Sequence, residues 1–418
     1  MPNRNETSTA AIYFYFKVGS KNETLDTNGI SHFVEHMIYK GSPKFPEYIN
    51  ISKNLDANGI YFNAYTSKDI TAYHFKFLSS PDNLNLVCNI ASDMIMKPLM
   101  REKDIETERN VIIQEYNDDL DDIDEYIDDK IEENLLKGHP LSYPVIGTLK
   151  NLRKITQQQI VDYHKKYYSP DNLLIGYSGS MPANSISIIN KYFGGANAFS
   201  NIRLDSQGIS QIIPFVDKHD SPRIDCYDKD LNQDYIHIIF KTNGYFDPMK
   251  KYYMMLSNIL GSNMSSRLFV EIREKLGLVY SVKTSLTNYE EVGYFDIYSQ
   301  NESKDTVECM KAIFKELKKI KSSGVSNKEL EENKKNYSDL FKGKFDDIEF
   351  ENEYFAKQIL FNRPIESVTE KIESINEIKT SDIKTAACEL FDFNKIHIIT
   401  FGKVNKKKLE NVLKKCCL

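Results

Sequence analysis

Ile12-Tyr13-Phe14-Tyr15-Phe16-Lys17 is a run of β-branched and aromatic residues with the content of a buried strand, and it has a counterpart far along the chain in Ile236-His237-Ile238-Ile239-Phe240-Lys241. Each run is followed by glycine within a few residues, and each opens a half of similar length. The halves also close alike, with a helical stretch, an asparagine (Asn172, Asn394), an apolar strand and a glycine (Gly179, Gly402). Self-similarity at this spacing implies an internal duplication. The expected fold is therefore α+β, with two related domains over residues 1–210 and 211–418, each a mostly antiparallel sheet packed with helices. The seam falls between about Phe193 and Arg223, where Gly194-Gly195-Ala196-Asn197, Pro214 and Pro222 interrupt any periodic pattern; a boundary near 205–220 follows.

Outward from these runs, the first half reads as strands near 9–18, 60–67, 69–78 and 172–178, with helices near 28–40, 46–57, 81–96, 102–135 and 156–167. The second half reads as strands near 224–229, 233–242, 278–288, 291–299 and 395–401, with helices near 247–260, 265–276, 303–321, 326–345, 349–360 and 380–390.

A chain of 418 residues exceeds the size at which one core keeps growing, and 41% hydrophobic residues supply two cores. The formal charge of −6 argues against a protein that neutralises nucleic-acid phosphates or anionic lipid. Six cysteines without CxxC spacing fit neither a disulfide framework nor a thiolate metal site, and point to a reducing, cytoplasmic setting. No apolar run approaches the ~20 residues of a membrane span, and the start has no secretory pattern. Cys416-Cys417-Leu418 does not place a cysteine where prenylation needs one, and reads as a frayed tail.

Chemistry concentrates in Asn28-Gly29-Ile30-Ser31-His32-Phe33-Val34-Glu35-His36-Met37-Ile38-Tyr39-Lys40-Gly41-Ser42-Pro43, which carries helix start and stop signals. His32 and His36 are i and i+4 on that helix, one turn apart on one face, so two imidazoles can converge on one zinc. Glu35 flanks the same face, where a carboxylate can take a proton from a metal-bound water. With eight histidines in the chain the pattern alone can be coincidence; two at helical spacing beside a glutamate on a punctuated helix favour the metal reading. A hydrolytic zinc needs a third protein ligand. The helix from Glu102 offers Glu106, Glu108 and Glu115, and its apolar residues Ile105, Ile112, Tyr116 and Ile123 mark the buried stripe. Glu115 borders that stripe, and Glu108 lies about 10 Å away along the same face, so one binds and the other supports. Periodicity does not decide which.

His32-Phe33-Val34-Glu35-His36 followed by Glu108-Arg109-Asn110-Val111-Ile112-Ile113-Gln114-Glu115 resembles the inverzincin peptidases of the pitrilysin, insulinase and mitochondrial processing peptidase family. The resemblance makes Glu115 the third ligand of one zinc per chain and Glu108 its support. It continues through Asn63-Ala64-Tyr65-Thr66, Pro140, Gly147-Thr148 and Tyr168-Ser169-Pro170-Asp171-Asn172. It implies that Asn63, Ala64 and Tyr65 lie on an edge strand that pairs with an extended peptide. In the second half, Arg267-Leu268-Phe269-Val270-Glu271-Ile272-Arg273-Glu274-Lys275-Leu276-Gly277-Leu278-Val279-Tyr280 resembles the family's second signature, and implies that Arg273 and Tyr280 engage the substrate backbone and the carbonyl under attack. The chain departs from the pattern at Gly261-Ser262-Asn263, where the family is richer in glycine, and at Asp69, where it often has Glu. Its first strand matches the family's second.

The resemblance thus implies a zinc-dependent endopeptidase acting on extended peptides or precursor proteins, with Glu35 as general base. One chain holds both signatures, so a homodimer, or a heterodimer with a related chain, is expected. Two rivals remain at this stage: a non-catalytic scaffold subunit, and a zinc hydrolase of non-peptide substrates. The acidic run 118–125 and the lysines near the C-terminus read as solvated surface. His74, His139, His164, His219, His237 and His397 lack partners at ligand spacing and read as structural or surface residues.

Overall fold

A computed structural model describes residues 7–194, 213–217 and 221–417. The first half contributes β1 (Thr9–Phe16), α1 (Ile30–Ile38), α2 (Tyr48–Asp56), β2 (Tyr61–Thr66), β3 (Thr71–Leu78), α3 (Pro81–Met96), α4 (Glu102–Asp121), α5 (Ile123–Leu135), α6 (Leu149–Leu152), α7 (Gln157–Tyr167), β4 (Leu173–Gly179) and α8 (Ser185–Phe193). The second contributes β5 (Arg223–Tyr227), β6 (Asp234–Thr242), α9 (Lys250–Gly261), a π-helix (Phe269–Lys275), β7 (Ser281–Asn288), β8 (Gly293–Asn301), α10 (Thr306–Ser323) and α11 (Asn327–Lys344). It continues with α12 (Ile348–Leu360), α13 (Val368–Asn376), α14 (Thr380–Leu390), β9 (His397–Phe401) and α15 (Lys406–Cys417). The fold is α+β with two mostly antiparallel sheets.

In the first sheet the order is β2-β3-β1-β4, and every pairing is antiparallel. The run at Ile12 does not alternate because both faces of β1 are covered. Ala10, Ile12, Phe14 and Phe16 join Phe33, Val34 and Met37 of α1 and the apolar residues of α3 in one core. On the other face the Tyr13 hydroxyl donates to Glu349 at 2.9 Å, and the Tyr15 hydroxyl to Asn352 at 3.1 Å. Both acceptors belong to α12. The second sheet has the order β5-β9-β6-β8-β7, with only β5 and β9 parallel. Ile236, Ile238 and Phe240 of β6 share a core with α9, α10 and α14.

The chain divides into two compact units, Met1–Gln211 with Lys344–Ile365, and Ile212–Gly343 with Glu366–Leu418. This corrects the expectation of two consecutive segments, 1–210 and 211–418. The helix expected near 349–360 belongs to the first unit, because Tyr13, Tyr15 and Lys76 supply partners for Glu349 and Asn352. The boundary region 205–220 lies mostly outside the described residues.

Three further expectations change. The single helix over 102–135 is two helices, broken at Asp122, whose extended backbone (φ −75°, ψ 117°) ends α4 while its carboxylate caps α5 by accepting from Asp124 N at 2.9 Å. The helix near 265–276 is a π-helix. The Cys416-Cys417 pair read as a frayed tail is the last turn of α15, a helix whose Leu409, Val412 and Leu413 are buried in the second core; Leu418 lies outside the described residues. Among the described residues no helix is long and apolar enough to cross a membrane.

Candidate metal centre

α1 buries Ile30, Ser31, Phe33, Val34, Met37 and Ile38. That leaves His32, Glu35, His36, Tyr39 and Lys40, spaced at helical intervals, on its half-buried face. The sequence around the start of the helix demands glycine. Gly29, at the N-cap, has φ +101°, and a Cβ there would lie 2.8 Å from Ile146 O and 3.1 Å from the Cα of Gly147, so two glycine backbones meet. A glycine cannot cap with a side chain. Glu23, from the loop before the helix, does so instead: one carboxylate oxygen accepts from Gly29 N (2.8 Å) and Asn28 Nδ2 (2.8 Å), the other from Ser31 N (2.7 Å). Burial raises the Glu23 carboxyl to about 7 against the pull of these donors.

α4 brings its carboxylates to this face. Glu115 Oε2 lies 3.4 Å from His36 Nε2 and 4.0 Å from His32 Nε2. One donor atom from each of His32, His36 and Glu115 lies within 4.8 Å of the others. Four bonds of 2.0–2.1 Å place tetrahedral donors about 3.3 Å apart, so a small closure of these side chains would let the three hold one metal ion. Glu108 is placed differently. It is 3% exposed; its Oε2 lies 3.1 Å from His36 Nδ1, and its Oε1 lies 2.5 Å from Lys40 Nζ. Burial alone would raise the Glu108 carboxyl, but the hydrogen bonds from His36 and Lys40 outweigh it and hold the carboxyl below its usual range. An ionised Glu108 favours a proton on Nδ1 of His36 and leaves Nε2 facing Glu115.

Glu35 is held by a second element. Thr66 Oγ1, at the end of β2, donates to Glu35 Oε2 at 2.6 Å. Burial raises the Glu35 carboxyl, with the Thr66 bond and His36 working against it. The imidazoles diverge: burial, reinforced by His36, lowers His32 to about 3. Burial acts downward on His36 too, but Glu108, Glu115 and Glu35 together raise it. The donor set suits zinc: two imidazoles, the one with a charge-assisted support on its far nitrogen, and one carboxylate. A cavity of about 550 Å³ opens beside it, lined by Glu35, His36, Tyr39, Tyr48, Phe62 and Val111 among others.

The other residues singled out in the sequence lie elsewhere. Asn63, Ala64 and Tyr65 are on β2, whose outer edge has no strand partner among the described residues. Arg273 and Tyr280 belong to the second unit. The Arg273 guanidinium stands over the Phe269 ring at 4.7 Å, and Tyr280 is 69% exposed. The remaining described histidines are structural: His139 Nδ1 accepts from Leu141 N (3.2 Å), His164 bonds Ile95 O (2.7 Å), His237 bonds Asp296 (2.8 Å), His397 bonds Asp225 (2.7 Å), and His74 stacks on Tyr13; His219 lies outside the described residues. Lys40, Thr66 and Glu23 escaped the sequence reading. Lys40 had a signal, four residues beyond His36, and Thr66 closed the edge-strand motif without a role being assigned to it; Glu23, in a loop, had none.

Residues 1–149 match the family model described as insulinase, peptidase family M16, and residues 154–337 match the model described as the peptidase M16 inactive domain. An uncharacterized zinc protease of Rickettsia felis is 32% identical over 317 residues, covering 76% of this chain and 73% of that protein. The chain belongs to peptidase family M16. A second relative, the Bacillus subtilis protein named as uncharacterized zinc protease YmxG, is 28% identical over 396 residues, covering 94% of this M16 chain and 92% of that one. The fold is shared with a protease from Helicobacter pylori, at a TM-score of 0.84 and 22% identity over 94% of both chains. The periplasmic protease PqqL from Escherichia coli gives a TM-score of 0.83 at 17% identity, and this M16 chain covers 48% of it. His32, Glu35, His36, Glu108 and Glu115 all fall in the segment matched by the insulinase model, while Arg273 and Tyr280 fall in the segment matched by the inactive-domain model.

Proposed function

We propose that this chain is a zinc-dependent endopeptidase whose metal is held by His32, His36 and Glu115 and whose general base is Glu35. The observation that carries this reading is the convergence of the three donor atoms on one face, with Glu35 on the same face of α1 and held by Thr66. Zinc bound there would polarise a peptide carbonyl and acidify a water. Glu35, with its carboxyl raised by burial, receives the proton of the attacking water at its free oxygen and delivers it to the leaving amine. Glu108 and Lys40 keep the His36 ring in one orientation. The outer edge of β2, which pairs with no strand among the described residues, supplies backbone groups at Asn63-Ala64-Tyr65 for an extended peptide. The free thiols Cys88, Cys226, Cys309 and Cys388 support a reducing, cytoplasmic setting.

Glu35→Gln is the decisive variant. The amide keeps the shape and cannot accept the proton, so kcat on a peptide substrate should fall by about 10²–10⁴-fold while zinc content, read by metal analysis, stays at the wild-type level. Near wild-type turnover by the zinc-loaded variant would remove Glu35 from the mechanism.

The working form we propose is a dimer in which Arg273 and Tyr280 of one copy serve the metal centre of the other. Both signatures sit on one chain, and PqqL, with the same fold, is about twice as long. Mixing Glu35→Gln protein with an Arg273→Ala, Tyr280→Phe variant should restore activity through mixed dimers, each with one intact site. Verified mixed dimers without activity, or a fully active monomer, would end the dimer reading.

A further inference from the structure

The loop that carries Glu23 touches both supports of the metal centre. Its carboxylate, 6% exposed, takes the place of the side-chain cap that Gly29 cannot provide, and satisfies the Gly29 and Ser31 amides at the start of α1. The same loop is tied by backbone hydrogen bonds to the turn after β2: Ser20 N donates to Ser67 O at 3.2 Å, and Lys21 N to Lys68 O at 2.9 Å. Thr66, the residue before that turn, holds Glu35. One short segment therefore joins the first turn of the helix bearing His32, Glu35 and His36 to the end of the strand that orients Glu35.

We infer that Glu23 is a positioning residue of this centre: by gripping the first turn of α1 from a loop anchored on the β2–β3 turn, it sets the rotation and height of α1, so that His32 and His36 face Glu115 and Glu35 meets Thr66. This rests on the reading of His32, His36 and Glu115 as a metal centre. Adjacent residues explain why a carboxylate is required. Three N–H groups point at its two oxygens, all donors, at the positive end of a helix. A carboxamide, whichever way it is turned, sets its own N–H₂ against at least one of them.

The test compares Glu23→Gln and Glu23→Asp with wild type in three measurements. Hydrogen exchange at the Gly29 and Ser31 amides and the ring resonances of His36 are followed in the metal-free protein, zinc affinity is measured by titration, and kcat and KM are measured at saturating zinc. Glu23→Gln should stay folded, lose amide protection in the first turn of α1 and shift the His36 resonances. It should bind zinc about 10–100-fold more weakly, as the loss of an outer support does, and show a lower kcat at unchanged KM. Glu23→Asp, with the charge kept on a shorter arm, should recover part of each. A role limited to stability would change only the melting temperature; a folded Glu23→Gln protein with wild-type His36 resonances, zinc affinity and kcat overturns the proposal. If Glu23→Gln does not fold, the same measurements on Glu23→Asp decide, and wild-type values there overturn it. Wild-type protein that binds no zinc or cuts no peptide defeats the peptidase reading alone, because the amide exchange and His36 resonances still judge Glu23.

Discussion

The two units run through the same order of elements and end in different chemistry. β2-β3-β1-β4 in the first unit has its counterpart in β7-β8-β6-β9 in the second, with β5 added at the β9 edge. By position, α1 corresponds to α9, α4 to α11 and β2 to β7. The helix pair is bridged in both units: His36 and Glu108 join α1 to α4, while Asn258 Nδ2 donates to Asn333 Oδ1 at 2.9 Å to join α9 to α11. The helix–strand bond is also present twice, as Thr66 to Glu35 and as Ser257 with Thr284 at 2.9 Å. Neutral amides and hydroxyls suffice to hold this scaffold together. The first unit places ionisable groups at the same joints, where burial costs free energy unless each charge finds a partner. The first unit thus carries ionisable groups at joints that the fold needs only to be polar, and the two halves match separate family models.

The strongest way to break this comparison is to give the first unit the joint of the second. His36→Asn combined with Glu108→Gln leaves an amide pair between α1 and α4. Zinc affinity should fall by more than about 100-fold, since a ligand and its support are both gone. Stability should stay within about 1 kcal/mol of the metal-free wild type or rise, because buried ionisable groups give way to neutral ones. Unfolding of the double variant by several kcal/mol would mean that the imidazole and carboxylate are structural, and that the two units are not equivalent at this joint. Glu108→Gln alone sharpens the point. His36 remains able to bind while its proton is no longer fixed by a charge, so a loss of about 10–100-fold in zinc affinity is expected. Glu115→Gln, which removes a ligand, should cost more, and a titration giving the reverse order would exchange the roles of the two glutamates.

Much of this was legible in the residues. The runs at Ile12 and Ile236 mark central strands because Ile12, Phe14 and Phe16, and Ile236, Ile238 and Phe240, form unbroken apolar faces, and the i, i+4 spacing of His32 and His36 sets their common face through helix geometry alone. What escaped depends on partners distant in sequence. Nothing local in the segment around Glu349 and Asn352 says that it covers Tyr13 and Tyr15 of the first sheet. The break at Asp122 hides in an acidic run whose periodicity continues across it. The division of labour between Glu108 and Glu115 is invisible to periodicity, since seven residues return to the same face; only the packing of α1 against α4 sets one beside Lys40 and the other beside both imidazoles. The resemblance implies Glu115 as the ligand and Glu108 as its support, which periodicity cannot. Glu23 had neither a periodic pattern nor a motif, because its partners are backbone amides.

The smallest effect expected concerns the strand by which the two sheets differ. Among the described residues, β4 has no strand on its outer edge, whereas β9 carries β5, and the Asp225 carboxylate of β5 bonds the buried His397 of β9 at 2.7 Å. That hydrogen bond is the main cause holding the Asp225 carboxyl below its ordinary value of 3.8, with partial burial opposing it. A carboxyl lowered on folding contributes stability that is present above its unfolded value, near 4, and is lost as the pH falls through the folded value. Wild-type β5 should therefore lose protection progressively below about pH 4, in step with protonation of Asp225. Asp225→Asn removes this titration: its β5 amides should exchange somewhat faster than wild type at neutral pH and show a weaker dependence on acid, with the transition moved by less than about one pH unit because the carboxylate is partly exposed. Amide exchange in β1 and β4 of the first unit, which lack this pair, serves as the internal control. Coincident pH profiles for β5 in the two proteins would show that the added strand is held by its ladder and by α15 rather than by the Asp225–His397 pair.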